Sequence, residues 1–187
     1  MFNLFKTPSY SGRDTYRYVE RVILKGRKIL IVSPYIDQYY ANFILRNLRG
    51  RSFNIVSSSM DKRAQKLLTK GKFPTDLLIS SAILSIADAM LYYLEYSLYG
   101  LYLTILIVVM IAAVIYLASK KPTSIHLKVP KEFVHAKLYI SENIAVHGSV
   151  NLTYKGLHKN VEHVEMVDDP DEIAKLERQF WDIWKAS

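Results

Sequence analysis

The chain has 187 residues, with 25 Lys and Arg against 17 Asp and Glu, five His and no Cys. This length and composition exclude an intrinsically disordered, collagen-like or disulfide-stapled protein, and the missing thiol excludes both a cysteine nucleophile and a Cys-based zinc site. The surplus of positive charge favours phosphate-bearing partners, either nucleic acid or an anionic lipid surface.

Residues 1–8 are too short and interrupted for a secretory signal, and Phe2, Leu4 and Phe5 are expected to pack on the domain. Ser11-Gly-Arg-Asp14 reads as a helix start, with the helical pattern running to Leu24. Lys28-Ile-Leu-Ile-Val-Ser33 is a short apolar run stopped by Pro34, which suits a buried strand. Asp37 is placed to cap a second helix with Tyr40, Phe43, Ile44 and Leu48 on its apolar side and Gly50 closing it. Residues 52–57 read as another strand, and 60–70 as a basic amphipathic helix. Its row of Lys62, Arg63, Lys66, Lys70 and Lys72 is a solvated face that can also hold anionic headgroups.

From Leu77 to Ser119, 43 consecutive residues contain only two charges, Asp88 and Glu95, and no Lys or Arg. A bilayer core takes about 20 apolar residues per helix. The stretch is therefore two spans long, with a break near Glu95-Tyr-Ser-Leu-Tyr-Gly100, and it predicts a helical hairpin of 77–94 and 98–118. Basic residues flank it on both sides and none sits at its tip, so both flanks are expected on the cytoplasmic face. Asp88 is expected at a helix–helix contact beside the small residues Ser81, Ser85 and Ala89. Tyr92, Tyr93, Tyr96, Tyr99 and Tyr102 would form an aromatic belt at the far interface.

Beyond the hairpin, residues 124–129, 133–140, 144–147 and 161–167 read as strands, and 169–184 as a helix with Ile173, Leu176, Phe180 and Trp184 on one face. Alternating strands and helices predict an α/β sheet with helices on its faces. Neither half has enough strands to stand alone, so 1–76 and 120–187 are expected to form one domain interrupted by the membrane hairpin 77–119. A chain that leaves and rejoins one domain on one side of a membrane needs an even number of spans, which agrees with the hairpin.

The chemistry concentrates after the hairpin. His135 and Lys137 are two apart and would share one face of a strand. A neutral imidazole beside a fixed ammonium suits attack on phosphorus while the phosphate oxygens are neutralised. Ser149 and Asn151 offer a hydroxyl and an amide to the same oxygens. A second His-x-Lys, His126 and Lys128, has no Gly-Ser-x-Asn behind it. His147 adjoins the motif, and His158 and His163 have no metal-ligand spacing, so no metal or cofactor is expected.

The spacing His135-x-Lys137 followed by Gly148-Ser149-x-Asn151, with Asn160-Val-Glu162 behind it, resembles the phospholipase D superfamily. The run Ile29–Ile36 and the closing helix also resemble the family. The resemblance implies a phospholipase D-like mixed sheet flanked by helices and a metal-free phosphodiester transfer through a phosphohistidine. It implies that Glu162 supports the catalytic His and that Glu142, one methylene longer, stands at the family's Asp position. A chain with one motif is expected to form a homodimer whose two His135 share a site. The expected substrate is nucleic acid, with phospholipid as the alternative. A further alternative is a silent module that binds phosphate without cleaving it.

Overall fold

A computed structural model describes residues 8–70, 74–93, 97–119 and 124–187. Phe2, Leu4, Phe5, Lys72, Glu95 and Tyr96 lie outside the described residues, and so does the Tyr92 side chain. The chain forms two compact units, Met1–Thr69 with Pro122–Ser187, and Lys70–Lys121.

The first unit is built on the apolar runs read above. β2 (Lys28–Val32), β4 (Ser52–Val56) and β6 (Ile125–Lys128) pair in parallel, with Ile31 beside Ile55 and Ile55 beside Leu127. On the other side of β2 the sheet turns antiparallel through β7 (Leu138–Ile140), β8 (Ala145–Gly148) and β9 (Glu162–Val167). The edge is β1 (Ser9–Gly12), which pairs with β9. This seven-stranded mixed sheet runs β1-β9-β8-β7-β2-β4-β6. A two-stranded ribbon, β3 (Tyr35–Ile36) with β5 (Ser59–Met60), continues from the ends of β2 and β4.

Strand alternation sends successive residues to opposite faces and makes two cores. Ile29, Ile31, Phe53, Ile55, Tyr139, Val146 and Val164 pack with α1 (Tyr16–Lys25), α2 (Gln38–Arg46), α3 (Lys62–Lys70) and α6 (Tyr154–His158). Leu30, Val32, Val56, Leu138 and Ile140 pack with Ile173 and Phe180 of α7 (Pro170–Ala186). Asp37 caps α2, accepting from Tyr40 N at 3.0 Å, and Asp169 caps α7. α2 ends earlier than expected, at Arg46 with Asn47 as its cap, and Gly50 instead takes the left-handed turn (φ 70°) into β4.

Two further expectations change. Ser11 and Gly12, expected at a helix start, belong to the edge strand β1, and α1 starts at Tyr16. Residues 133–137 are outside strand pairing, so the strand expected over 133–140 begins at Leu138. Its partners end there: Pro34 follows the last residues of β2, and Gly148, with φ 152°, ends β8.

The second unit holds α4 (Thr75–Tyr93) and α5 (Ser97–Ser119). Thr104 Oγ1 of α5 donates to Asp88 Oδ2 of α4 at 2.7 Å, while Asp88 Oδ1 is buried without a partner. Asp88 thus lies at a helix–helix contact. Ser81 is buried, but Ser85 and Ala89 are exposed, because the contacting stripe of α4 follows Leu77, Ser81, Leu84 and Asp88. Among the described residues one helical stretch, Tyr99–Leu117, is long and apolar enough to cross a membrane, with a mean hydropathy of 2.6 and 17% of it buried. A core helix of a soluble domain would be covered, whereas Ile105, Val108, Val109 and Ile115 are each more than half exposed.

Candidate active site

Strand direction assembles the site. β2, β4, β6 and β8 end where β7 and β9 begin, so the residues after the first four and before the last two share one end of the sheet. His135 and Lys137 precede β7, Ser149 and Asn151 follow β8, and Glu162 opens β9. Five of the six expected site residues therefore converge at one end.

The unpaired segment before β7 is held by side chains. Ser58 Oγ accepts from Val134 N at 2.8 Å, and Val134 and Ala136 pack against the α7 core. The Phe133 ring meets Tyr35 at 5.7 Å and the His135 ring edge-on at 4.7 Å. His135 is exposed, and Lys137 Nζ donates to the His135 carbonyl at 2.7 Å. On the other side, the buried Tyr139 hydroxyl donates to Val150 O at 2.8 Å, and burial raises its pKa above the ordinary phenol range. Ser33 Oγ accepts from Leu152 N at 2.9 Å, and Asp37 Oδ2 accepts from Tyr154 N at 2.6 Å. These bonds fix the backbone on both sides of Ser149 and Asn151.

Ser149 Oγ donates to Glu162 Oε2 and accepts from His163 N at 3.0 Å. The second Glu162 oxygen accepts from Asn160 Nδ2 at 3.0 Å. No described hydrogen bond joins Glu162 to His135 within the subunit. Asn151 Oδ1 is buried with no partner. Buried amide atoms are rarely left so. This one, an acceptor, sits among the motif residues, where only a donor can supply the missing contact.

Glu142 is the exception and a correction. It follows β7 rather than preceding it, at the opposite end of the sheet from His135. Its carboxylate accepts from Lys28 N at 2.6 Å and from Arg27 N at 3.2 and 3.1 Å, anchoring the start of β2. Partial burial pushes its pKa up, but the backbone donors Lys28, Glu142 itself and Arg27 outweigh it and hold the group below its usual 4.5. The carboxylate therefore contributes stability above about pH 4.5, which is lost as the pH falls through its lowered value. Glu142→Gln is expected to cost about 1 kcal/mol at neutral pH, because one charged acceptor of two N–H groups is lost at an exposed site. Thermal melts should show this gap closing toward pH 3, with activity per folded molecule unchanged.

In the second His-x-Lys pair, Lys128 has a structural role. Lys128 Nζ donates to Trp184 O at 2.7 Å and lies 4.9 Å from the Trp184 ring, tying α7 to β6. His147 approaches Glu165 at 3.6 Å, and His163 bonds Ser11 Oγ at 2.8 Å, both at the β8–β9–β1 edge. Among the described residues no group of three His, Asp or Glu is arranged to hold a metal. Sequence reasoning missed Ser58, Ser33 and Tyr139 as supports. Each acts on a residue far along the chain, and no local pattern marks that.

Residues 108–184 match a family model described as the PLD-like domain of cardiolipin synthase. No curated protein matches. Among solved structures, NucT from Helicobacter pylori has a TM-score of 0.55 at 14% identity, covering 96% of this chain and 95% of that one. Nuc from Salmonella typhimurium, a phospholipase D family member, has a TM-score of 0.53 at 14% identity with the same coverage. Residues 108–184, which carry the motif, thus match a PLD-like domain by sequence, and the chain shares the fold of NucT and Nuc.

Proposed function

We propose that the chain is a membrane-tethered phosphodiesterase of the phospholipase D superfamily whose substrate is nucleic acid. The observation that carries this reading is the convergence of His135, Lys137, Ser149 and Asn151 at one end of the sheet. An exposed imidazole next to an ammonium, with the amide of Asn151 at the same end of the sheet, is a set suited to a phosphodiester.

In this reading His135 attacks phosphorus and forms a phosphorus–nitrogen bond as the bond to the leaving oxygen breaks. A second imidazole protonates that oxygen, then takes a proton from water, which attacks phosphorus and releases His135. The chain has one motif, so the second imidazole is His135 of an identical subunit across a twofold axis. Lys137 neutralises the oxygens and the Asn151 amide N–H donates to them, while Glu162 holds the Ser149 hydroxyl. No metal is required by these steps.

The apolar, largely uncovered α5 and the lysines flanking the hairpin support a membrane anchor with the sheet unit on the cytoplasmic side. The tether also favours a second reading, hydrolysis or transfer of phospholipid headgroups. Against it, the chain carries a single copy of the motif, the arrangement expected of a nuclease-like member of the family. The test is cleavage of labelled single-stranded and plasmid DNA by the detergent-solubilised full chain in excess EDTA, beside release of headgroups from mixed vesicles. Metal-independent DNA cleavage is the expected result. Headgroup release without DNA cleavage transfers the function to lipid, and binding with neither activity makes the chain a silent phosphate-binding module.

A further inference from the structure

Large aromatic rings are left uncovered at the same end of the sheet as the motif. Tyr35, Tyr39, Phe133 and Tyr154 are 47%, 48%, 47% and 42% exposed. They fall into two contacting pairs. Tyr35 and Phe133 meet at 5.7 Å, and Phe133 continues to the His135 ring at 4.7 Å. Tyr39 and Tyr154 meet at 5.1 Å; Tyr154 is three residues after Asn151, and its N–H donates to the carboxylate of Asp37, two residues before Tyr39.

The second pair rests on a built support rather than on loose loops. Tyr154 stacks on His158 at 4.7 Å, and Tyr16 stacks on His158 at 4.5 Å. His158 Nε2 bonds the Tyr40 hydroxyl at 3.0 Å, and that hydroxyl donates to Glu20 at 2.9 Å. Rings locked in this way present fixed π-faces, which lose little entropy on binding. Exposed Lys131, Lys155 and Lys159 lie on the same segments, with Lys159 Nζ 5.8 Å from the Tyr154 ring. Cations for a backbone interleaved with rings for bases are the two elements of a single-strand binding surface. A duplex keeps its base faces stacked on each other, so these rings can serve only bases that are already unpaired. A lipid headgroup has no such face to offer.

We propose that Tyr35 with Phe133, and Tyr39 with Tyr154, are stacking platforms that hold bases of single-stranded nucleic acid on either side of the phosphodiester presented to His135. The proposal rests on the phosphodiesterase reading for its substrate chemistry, but it is read out by binding alone. The full chain in detergent, carrying His135→Asn to stop turnover, is titrated in EDTA with a labelled oligothymidylate, an abasic strand of equal length and a duplex. Oligothymidylate is expected to bind at least about tenfold tighter than the abasic strand, from the stacking of one or more bases. Tyr35→Ala, Phe133→Ala, Tyr39→Ala and Tyr154→Ala should each weaken oligothymidylate by about five- to tenfold and leave the abasic strand and the duplex nearly unchanged. Tyr35→Phe and Tyr154→Phe should keep wild-type affinity, because the ring and not the hydroxyl is used.

Equal binding of thymidylate and abasic strands overturns the proposal. So do alanine variants that weaken both strands alike, which would make the rings packing elements, and so does capture by anionic vesicles with neither strand bound. The two readings fail separately. Cleavage without any preference for bases removes the platforms and leaves the phosphodiesterase. Base-selective binding by a wild-type chain that cleaves no strand keeps the platforms and removes the chemistry.

Discussion

His135→Ala should lower cleavage of a single-stranded oligonucleotide in EDTA by about 10⁴-fold or more, the loss expected when a covalent nucleophile is removed. The fold should not register the change. His135 is exposed and lies outside strand pairing, and its described side-chain contact is with the edge of the equally exposed Phe133. Melts of wild type and variant should therefore agree within about 0.5 kcal/mol. A mixing experiment then tests the shared site. If each site takes one His135 from each of two subunits, an equal mixture allowed to exchange subunits retains about one quarter of the wild-type activity, because only wild-type pairs work. A retained activity of one half means that each chain carries its own complete site. A variant as active as wild type removes phosphohistidine chemistry at this residue altogether.

Gly148→Ala should have the largest effect on the fold. Gly148 has φ 152°, a conformation side chains rarely adopt, and it lies at the last register position of β8 opposite Val164. A Cβ there would run into the His163 carbonyl oxygen and the Val164 Cα, both backbone atoms of β9. Neither can swing aside as a side-chain end can, so the β8–β9 pair must part where Ser149 N bonds His163 O at 2.9 Å. The cost is expected at about 3 kcal/mol or more, the range of strained and overpacked substitutions. Denaturant unfolding should show a large fall in midpoint. The residual folded protein should also lose activity, since Ser149 and Glu162 meet across this pair. Gly50→Ala, at φ 70° with open space around it, is the control and should cost only the left-handed backbone penalty of about 1 kcal/mol.

The two substitutions divide the chain's information in the same way that reading it does. β2 was legible because a strand covered on both faces must be apolar throughout, as Ile29–Val32 is, and β4 because Phe53 and Ile55 alternate with Ser52 and Asn54. α7 was legible because its stripe from Ile173 to Phe180 repeats at helical spacing and Asp169 caps it. The two helices of the second unit were legible as long apolar stretches, and they run close to the predicted limits. The four-residue β1 was missed because an edge strand of Ser, Tyr, Ser and Gly has no alternation to show, and only its pairing with β9 makes it a strand. β3, β5 and α6 were missed as pieces of two to five residues, too short for any period to emerge.

Residue types and spacing, which are local, were enough to determine the chemistry on offer: an imidazole and an ammonium two apart, a hydroxyl and an amide two apart, and a long uncharged stretch that water does not favour. Which of these groups meet was decided by the tertiary structure. Antiparallel pairing brings the start of β7 to the end of β8 and carries Glu142 to the far end, although Glu142 is closer to Lys137 in sequence than Ser149 is. The physical reason is that a strand reverses which end of the sheet its neighbours in sequence occupy. Hydrogen-bond register between distant segments, which no local pattern specifies, therefore selects the members of the site.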